Sequence, residues 1–147
     1  MQGAKQEILT SHVADGDVKI IFWPMLDLAP NSTNAAIATF CAGEQDPAAF
    51  WRYHNTLFAN QRSVYLADRD FFLTTATDLG LDTGAFSTCY DGEAVRDLVE
   101  TLDQARRDNN VGVRPTFDVI GPSGEAERTF GSQPFEAFDA LIQAQLP

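Results

Sequence analysis

Thr116-Phe117-Asp118-Val119-Ile120-Gly121-Pro122-Ser123-Gly124-Glu125-Ala126-Glu127-Arg128-Thr129-Phe130 is the stretch on which the reading of this chain turns. Thr116 to Ile120 has the β-branched and aromatic character of a strand, Gly121-Pro122-Ser123-Gly124 reads as a turn, and Glu125 to Phe130 returns as a second strand. A two-stranded hairpin is marginal by itself and needs a cover. The sequence supplies one at once: Pro134 starts an amphipathic helix whose Phe135, Phe138, Leu141 and Ile142 share a face.

Working upstream, Asp17 to Trp23 carries Val18, Ile20, Ile21, Phe22 and Trp23 and is closed by Pro24, which predicts a mostly buried strand. Before it, Lys5 to Val13 predicts a short helix, with Ile8, Leu9 and Val13 at helical spacing and Asp15-Gly16 as its exit. The middle of the chain is helical. Thr33 to Ala42 is alanine-rich, with Ser32 or Asn31 available as its cap. Asp46 caps the next helix, Pro47 takes its first position, and Phe50, Trp51, His54, Leu57 and Phe58 fall on one face. Asp68 caps a helix with Phe71, Phe72, Ala76 and Leu79, which Gly80 ends. Asp82 opens a short segment holding Phe86 and Cys89. From Asp91, the residues Val95, Leu98, Val99, Leu102 and Ala105 keep helical spacing until Asp108-Asn109-Asn110. No repeat or linker interrupts the chain, so residues 1–147 read as one α/β domain with a helical insertion over about residues 31–110.

Composition narrows the function classes. A chain of 147 residues with 44% hydrophobic content can bury a full core. Its formal charge of -11 disfavours nucleic-acid binding, because acidic surface repels phosphate. No apolar run reaches the roughly 18 residues of a membrane span, and Met1-Gln2-Gly3-Ala4-Lys5 opens without the apolar core of an export signal. Two cysteines, Cys41 and Cys89, permit one disulfide and do not report the compartment.

The element order is helix, strand, helical block, hairpin, helix. With it come Phe40-Cys41-Ala42-Gly43-Glu44-Gln45, Phe50-Trp51-Arg52-Tyr53-His54, Leu57-Phe58-Ala59-Asn60-Gln61, Leu79-Gly80-Leu81-Asp82 and Gly112-Val113-Arg114-Pro115-Thr116-Phe117. On these segments, in this order and over nearly the whole chain, the sequence resembles DsbA-type thioredoxin-fold proteins. The resemblance implies a thioredoxin-like fold with the helical insertion between the first strand present and the C-terminal hairpin. It implies the activity of a thiol–disulfide oxidoreductase acting on cysteines of client proteins, with a redox partner protein and no cofactor, and an extracytoplasmic or periplasmic parent.

The departure from the family is as specific as the likeness. The family's active site opens a helix with Cys-x-x-Cys, where backbone N–H groups lower a thiol's pKa and a second thiol one turn away resolves the mixed disulfide. Neither that motif nor the strand before it is present, and Lys5 to Val13 would correspond to the back half of the active-site helix. The chain is therefore expected to be N-terminally incomplete and inactive as it stands, the alternative being a redox-inactive peptide-binding or chaperone-like module.

By the same resemblance, Pro115 matches the family's cis-proline, and Arg114, Pro115 and Thr116 would form half of a peptide-binding site. Cys41 and Cys89 stand where relatives can also carry cysteine, so a structural disulfide is one reading and two buried thiols the other. His12 and His54 read as structural histidines, since no pair among the two His and two Cys has short metal-ligand spacing. Asp27, Glu44 and Asp118 are lone carboxylates with no partner visible in sequence, and no proton-transfer role is assigned to them.

Overall fold

The computed structural model describes residues 2–146. The chain divides into two compact units, one made of the stretch up to Phe22 with the stretch from Asn110 onward, the other of Trp23–Asn109.

The first unit holds α1 (Gln2–Ile8), a π-helical turn (Leu9–Val13), β1 (Thr116–Ile120), β2 (Ala126–Phe130) and α8 (Phe135–Gln145). The two strands pair antiparallel, with Thr116 opposite Phe130 and Ile120 opposite Ala126. Their turn closes where Gly124 N–H donates to Gly121 O at 3.0 Å, and Gly124 sits at φ +78°, a conformation that a side chain would strain. Phe117 meets Phe138 of α8 edge to face at 4.7 Å, and Ala4, Phe138 and Ile142 form a small core with Val18, Phe117 and Val119 at its margin.

Two features of this unit depart from the sequence reading. The first helix converts to π geometry after Ile8. Thr10 Oγ1 and Ser11 Oγ donate back to the carbonyls of Gln6 and Glu7, and such bonds compete with the i→i−4 ladder. Asp17 and Val18 N–H both close on His12 O instead. The strand expected over Asp17–Trp23 does not form. Residues 18–26 lack regular structure, and the sheet contains β1 and β2 alone among the described residues. A strand exists only by pairing, and among the described residues this β-branched run joins no sheet; Ile21 is 72% exposed.

His12 is buried and its Nε2 lies 2.8 Å from Asp139 Oδ1, joining the π turn to α8, while its ring stacks on Phe135. An Asp139→Ala variant is expected to lose about 1–2 kcal/mol, the worth of a part-buried hydrogen bond to a charged group. Urea titration measures it, and an unchanged midpoint would mean that the contact contributes nothing.

The second unit is all helix: α2 (Ser32–Gln45), α3 (Pro47–Ala59), α4 (Gln61–Tyr65), α5 (Arg69–Asp78), α6 (Thr83–Asp91) and α7 (Ala94–Asp108). Three starts are fixed as the sequence indicates. Asp46, Asp68 and Asp82 each accept a first-turn backbone N–H, from Ala48, Phe71 and Ala85. Gly80, at φ +72°, ends α5 with Leu81 N–H bonded back to Ala76 O. At α2 the cap differs: Asn31 precedes the helix but makes no capping bond, and its Nδ2 donates to Val64 O and Ala67 O, tying down the end of α4.

α2 lies at the centre, packed by α3, α5, α6 and α7. Its Ala36, Ala38 and Ala42 let those neighbours approach closely around Ile37 and Cys41. The buried face of α3 is Ala49, Tyr53 and Leu57. The aromatic face read from sequence is therefore only half right: Leu57 is buried, but Phe50, Trp51 and His54 are at the margin and Phe58 is 55% exposed. Tyr53, the residue that reading omits, stacks on Phe86 at 5.5 Å and donates its hydroxyl to Phe72 O at 2.7 Å. Burial pushes its phenol pKa well up, and raises that of Tyr90 to about 12.

α7 departs from its apolar stripe in an informative way. Val95 and Val99 are buried, but below them the inward positions are Asp103 and Arg106, while Leu98 is exposed. Asp103 accepts from Arg106 Nε at 2.8 Å, from Arg107 Nη2 at 2.6 Å and from Leu26 N–H at 3.1 Å, and Arg106 reaches on to Asp27 at 3.1 Å. The cluster clips the Leu26–Asp27 loop to α7. Burial works against the Asp103 charge, yet the bonds from Leu26, Arg106 and Arg107 prevail and hold the carboxyl below the usual carboxylate range.

Candidate functional site

The loop before β1 carries the residues that sequence singles out. Arg114–Pro115 is a cis peptide bond, and Thr116 follows as the first residue of β1. Two hydrogen bonds brace the loop from within the unit. Thr116 Oγ1 donates to Val113 O at 2.6 Å, and Pro115 O accepts from Gly131 N–H at 2.8 Å. Arg114 is exposed and Pro115 and Thr116 are half-buried. The arrangement offers a braced backbone, with the Thr116 hydroxyl committed to Val113 O.

Asp118, two residues further along, is not poised for proton transfer. Arg128 on β2 holds it bidentately, with Nε to Oδ1 at 2.7 Å and Nη2 to Oδ2 at 2.9 Å. That guanidinium keeps the carboxyl below its ordinary range, so at neutral pH it is an ionised partner and not a base.

Cys41 on α2 and Cys89 on α6 are joined in a disulfide, with Cα atoms 5.7 Å apart, and they are the chain's two cysteines. Cys41 is wholly buried in the core of the helical unit, and Cys89 packs on that core from its margin. The bond staples two helices 48 positions apart and leaves no thiol for exchange.

The remaining sequence candidates do not assemble. His12 bonds to Asp139 and His54 stacks on Phe58 at 4.4 Å, one in each unit. Asp27 is committed to Arg106, and Glu44 is exposed on α2. Among the described residues no three His, Cys, Asp or Glu side chains are grouped to hold a metal ion. None of their helices is long and apolar enough to cross a membrane. Sequence reasoning missed the Asp103–Arg106–Arg107 cluster, although an acid followed by arginines three and four positions on is a recognisable helical ion-pair spacing.

A helical insertion, a C-terminal hairpin covered by α8, and a proline-led first strand of that hairpin are elements of a thioredoxin-like fold. The family model of the DSBA-like thioredoxin domain matches residues 6–143, and the chain belongs to that family. It is similar in structure to a crystal structure described as "a putative protein disulfide isomerase from Nitrosomonas europaea", with a TM-score of 0.64 and 18% identity. The likeness covers 95% of this chain and 70% of that one, and at this identity it bears on the fold alone. No curated protein matches the chain.

Proposed function

We propose that residues 1–147 act as one DsbA-like domain that presents the client-facing loop Arg114-Pro115-Thr116 and carries out no dithiol exchange by itself. The single observation behind this reading is that both cysteines are spent on Cys41–Cys89, across two helices and partly inside a core. A redox dithiol needs an exposed nucleophilic thiolate at a helix start, whereas Cys41 is wholly buried and both Cys41 and Cys89 lie late in their helices. The parent chemistry of the family, oxidation or isomerisation of client cysteines, then needs a Cys-x-x-Cys that these residues do not contain.

The bracing of the proline loop favours a second, compatible reading: binding of extended peptide without redox turnover. A loop already fixed by Thr116 and Gly131 costs little further ordering when a peptide docks. Insulin reduction by dithiothreitol, followed by turbidity, tests the first reading. The rate with the protein is expected to equal that of dithiothreitol alone and of a Cys41→Ser/Cys89→Ser variant; clear acceleration over both overturns it.

A further inference from the structure

α3 presents two faces of opposite character. Ala49, Tyr53 and Leu57 fill the core of the helical unit, so helical spacing turns Trp51, Asn55 and Phe58 to the far side. Phe58 is 55% exposed and lines a shallow cleft with Arg62, while Trp51 is half-buried. The rings brace one another: Trp51 meets His54 edge-on at 5.5 Å, and His54 stacks on Phe58 at 4.4 Å. Braced aromatic rings lose little freedom when a partner covers them, which suits them to an interface.

The charge around this face is unusual for the chain. Residues 47–67 form its longest stretch free of Asp and Glu, in a protein whose 21 acidic residues give a net charge of -11. Two such molecules repel one another wherever carboxylates face carboxylates, and here that penalty is smallest. Carboxylates stand at one end only of the helix face: Glu44 is exposed just before α3, and the side chain of Asp46, its cap, is 48% exposed. At the other end Arg62 is exposed beside Phe58.

We infer that the outer face of α3 is a self-association surface on which a second copy of this chain lays its own α3 antiparallel. A two-fold axis through Asn55 brings Phe58 of each copy against Trp51 of the other and sets each Arg62 beside the opposing Asp46 and Glu44. The acidic start and the basic finish are thereby matched twice, with no carboxylate in the apolar centre. An anionic membrane is a poorer occupant: Arg52 already pairs with Asp46 at 3.5 Å, which leaves Arg62 alone in the stretch to offset the charge of the whole chain. A contact made mainly by one 13-residue helix, about 20 Å long, covers less than the roughly 800 Å² per copy of a standard interface, so association is weak and concentration-dependent.

Sedimentation equilibrium of the full chain in about 0.15 M salt, where charges beyond about 8 Å are screened, is expected to show the apparent mass rising from one chain toward two as concentration nears the millimolar range. Phe58→Glu places two carboxylates in the apolar centre and is expected to weaken association about tenfold or more. Leu98→Glu, at a 41% exposed site on α7, is expected to leave it unchanged. Cross-linking tests the axis. With oxidised glutathione as the two-electron acceptor, Asn55→Cys is expected to give a covalent dimer through its new thiols, and Thr101→Cys, at an exposed site on α7, is not.

A mass that stays at one chain at every concentration overturns the proposal, and co-sedimentation of that monomer with anionic phospholipid vesicles would assign the face to a membrane. A dimer that Leu98→Glu weakens as much as Phe58→Glu, or that Thr101→Cys cross-links as readily as Asn55→Cys, overturns the surface. If Phe58→Glu fails to fold, the two cysteine variants decide.

Discussion

Reducing Cys41–Cys89 is expected to lower the stability of the helical unit by about 4 kcal/mol. The figure follows from the loop it closes: a cross-link over 48 positions removes that much conformational freedom from the unfolded chain in the entropy model. The mechanism is consistent with where the sulfurs sit. Cys41 is sealed between α2 and its neighbours, so a reductant must attack at Cys89 and expel a thiolate into apolar surroundings, a poor leaving site. Denaturant titration of the oxidised and the reduced chain, followed by far-ultraviolet circular dichroism, measures the difference. A change below about 1 kcal/mol would show that the bond does not hold the unit together. Under native conditions the disulfide is also expected to be reduced no faster than the unit opens, so denaturant should accelerate its reduction.

Replacing Asp103 by alanine is expected to cost about 3–5 kcal/mol, because it leaves the 6% exposed Arg106 inside the fold with Asp27 as its remaining carboxylate partner in this cluster. The loss belongs to the stranded charge and not to the value of the pair itself. A double variant, Asp103→Leu with Arg106→Met, should therefore recover most of it. If the double variant is as unstable as the single one, the cluster matters through its geometry and this electrostatic account is wrong.

The pH dependence has a definite sign. The folded pKa values of Asp103 and Asp118 lie below the unfolded value, so their stabilisation is complete above the unfolded carboxylate range near about 3.9. It is lost as pH falls through the lowered folded values. Thermal melts between neutral pH and pH of about 2 should show this loss for the unsubstituted chain and a shallower acid decline for Asp103→Ala.

What was legible in the sequence was whatever depends on neighbours along the chain. Asp46, Asp68 and Asp82 cap helices by bonds to residues two or three positions on, and the Gly121–Gly124 turn is equally local. The hairpin and its covering helix followed from period and turn chemistry. What failed depended on distant partners. Asp17–Trp23 has strand composition, but pairing decides a strand. Tyr53, Asp103 and Arg106 are polar residues that periodicity assigns to the surface, and they are buried because Phe72 O, Leu26 N–H and each other satisfy them. Pro115 was singled out by family resemblance, since nothing in its immediate neighbours marks a cis bond. Whether Cys41 and Cys89 are bonded or merely buried depends on how α2 and α6 pack together, which no local pattern of residues encodes.

The central claim is that the thiol chemistry of these residues is structural. The most direct measurement is to incubate the oxidised chain with a reduced client polypeptide in a glutathione buffer, quench by alkylation and map cysteines by mass spectrometry. The expected result is an intact Cys41–Cys89 disulfide and no client attached to either cysteine. A mixed disulfide between the client and Cys89, formed and resolved faster than the helical unit opens, would contradict it.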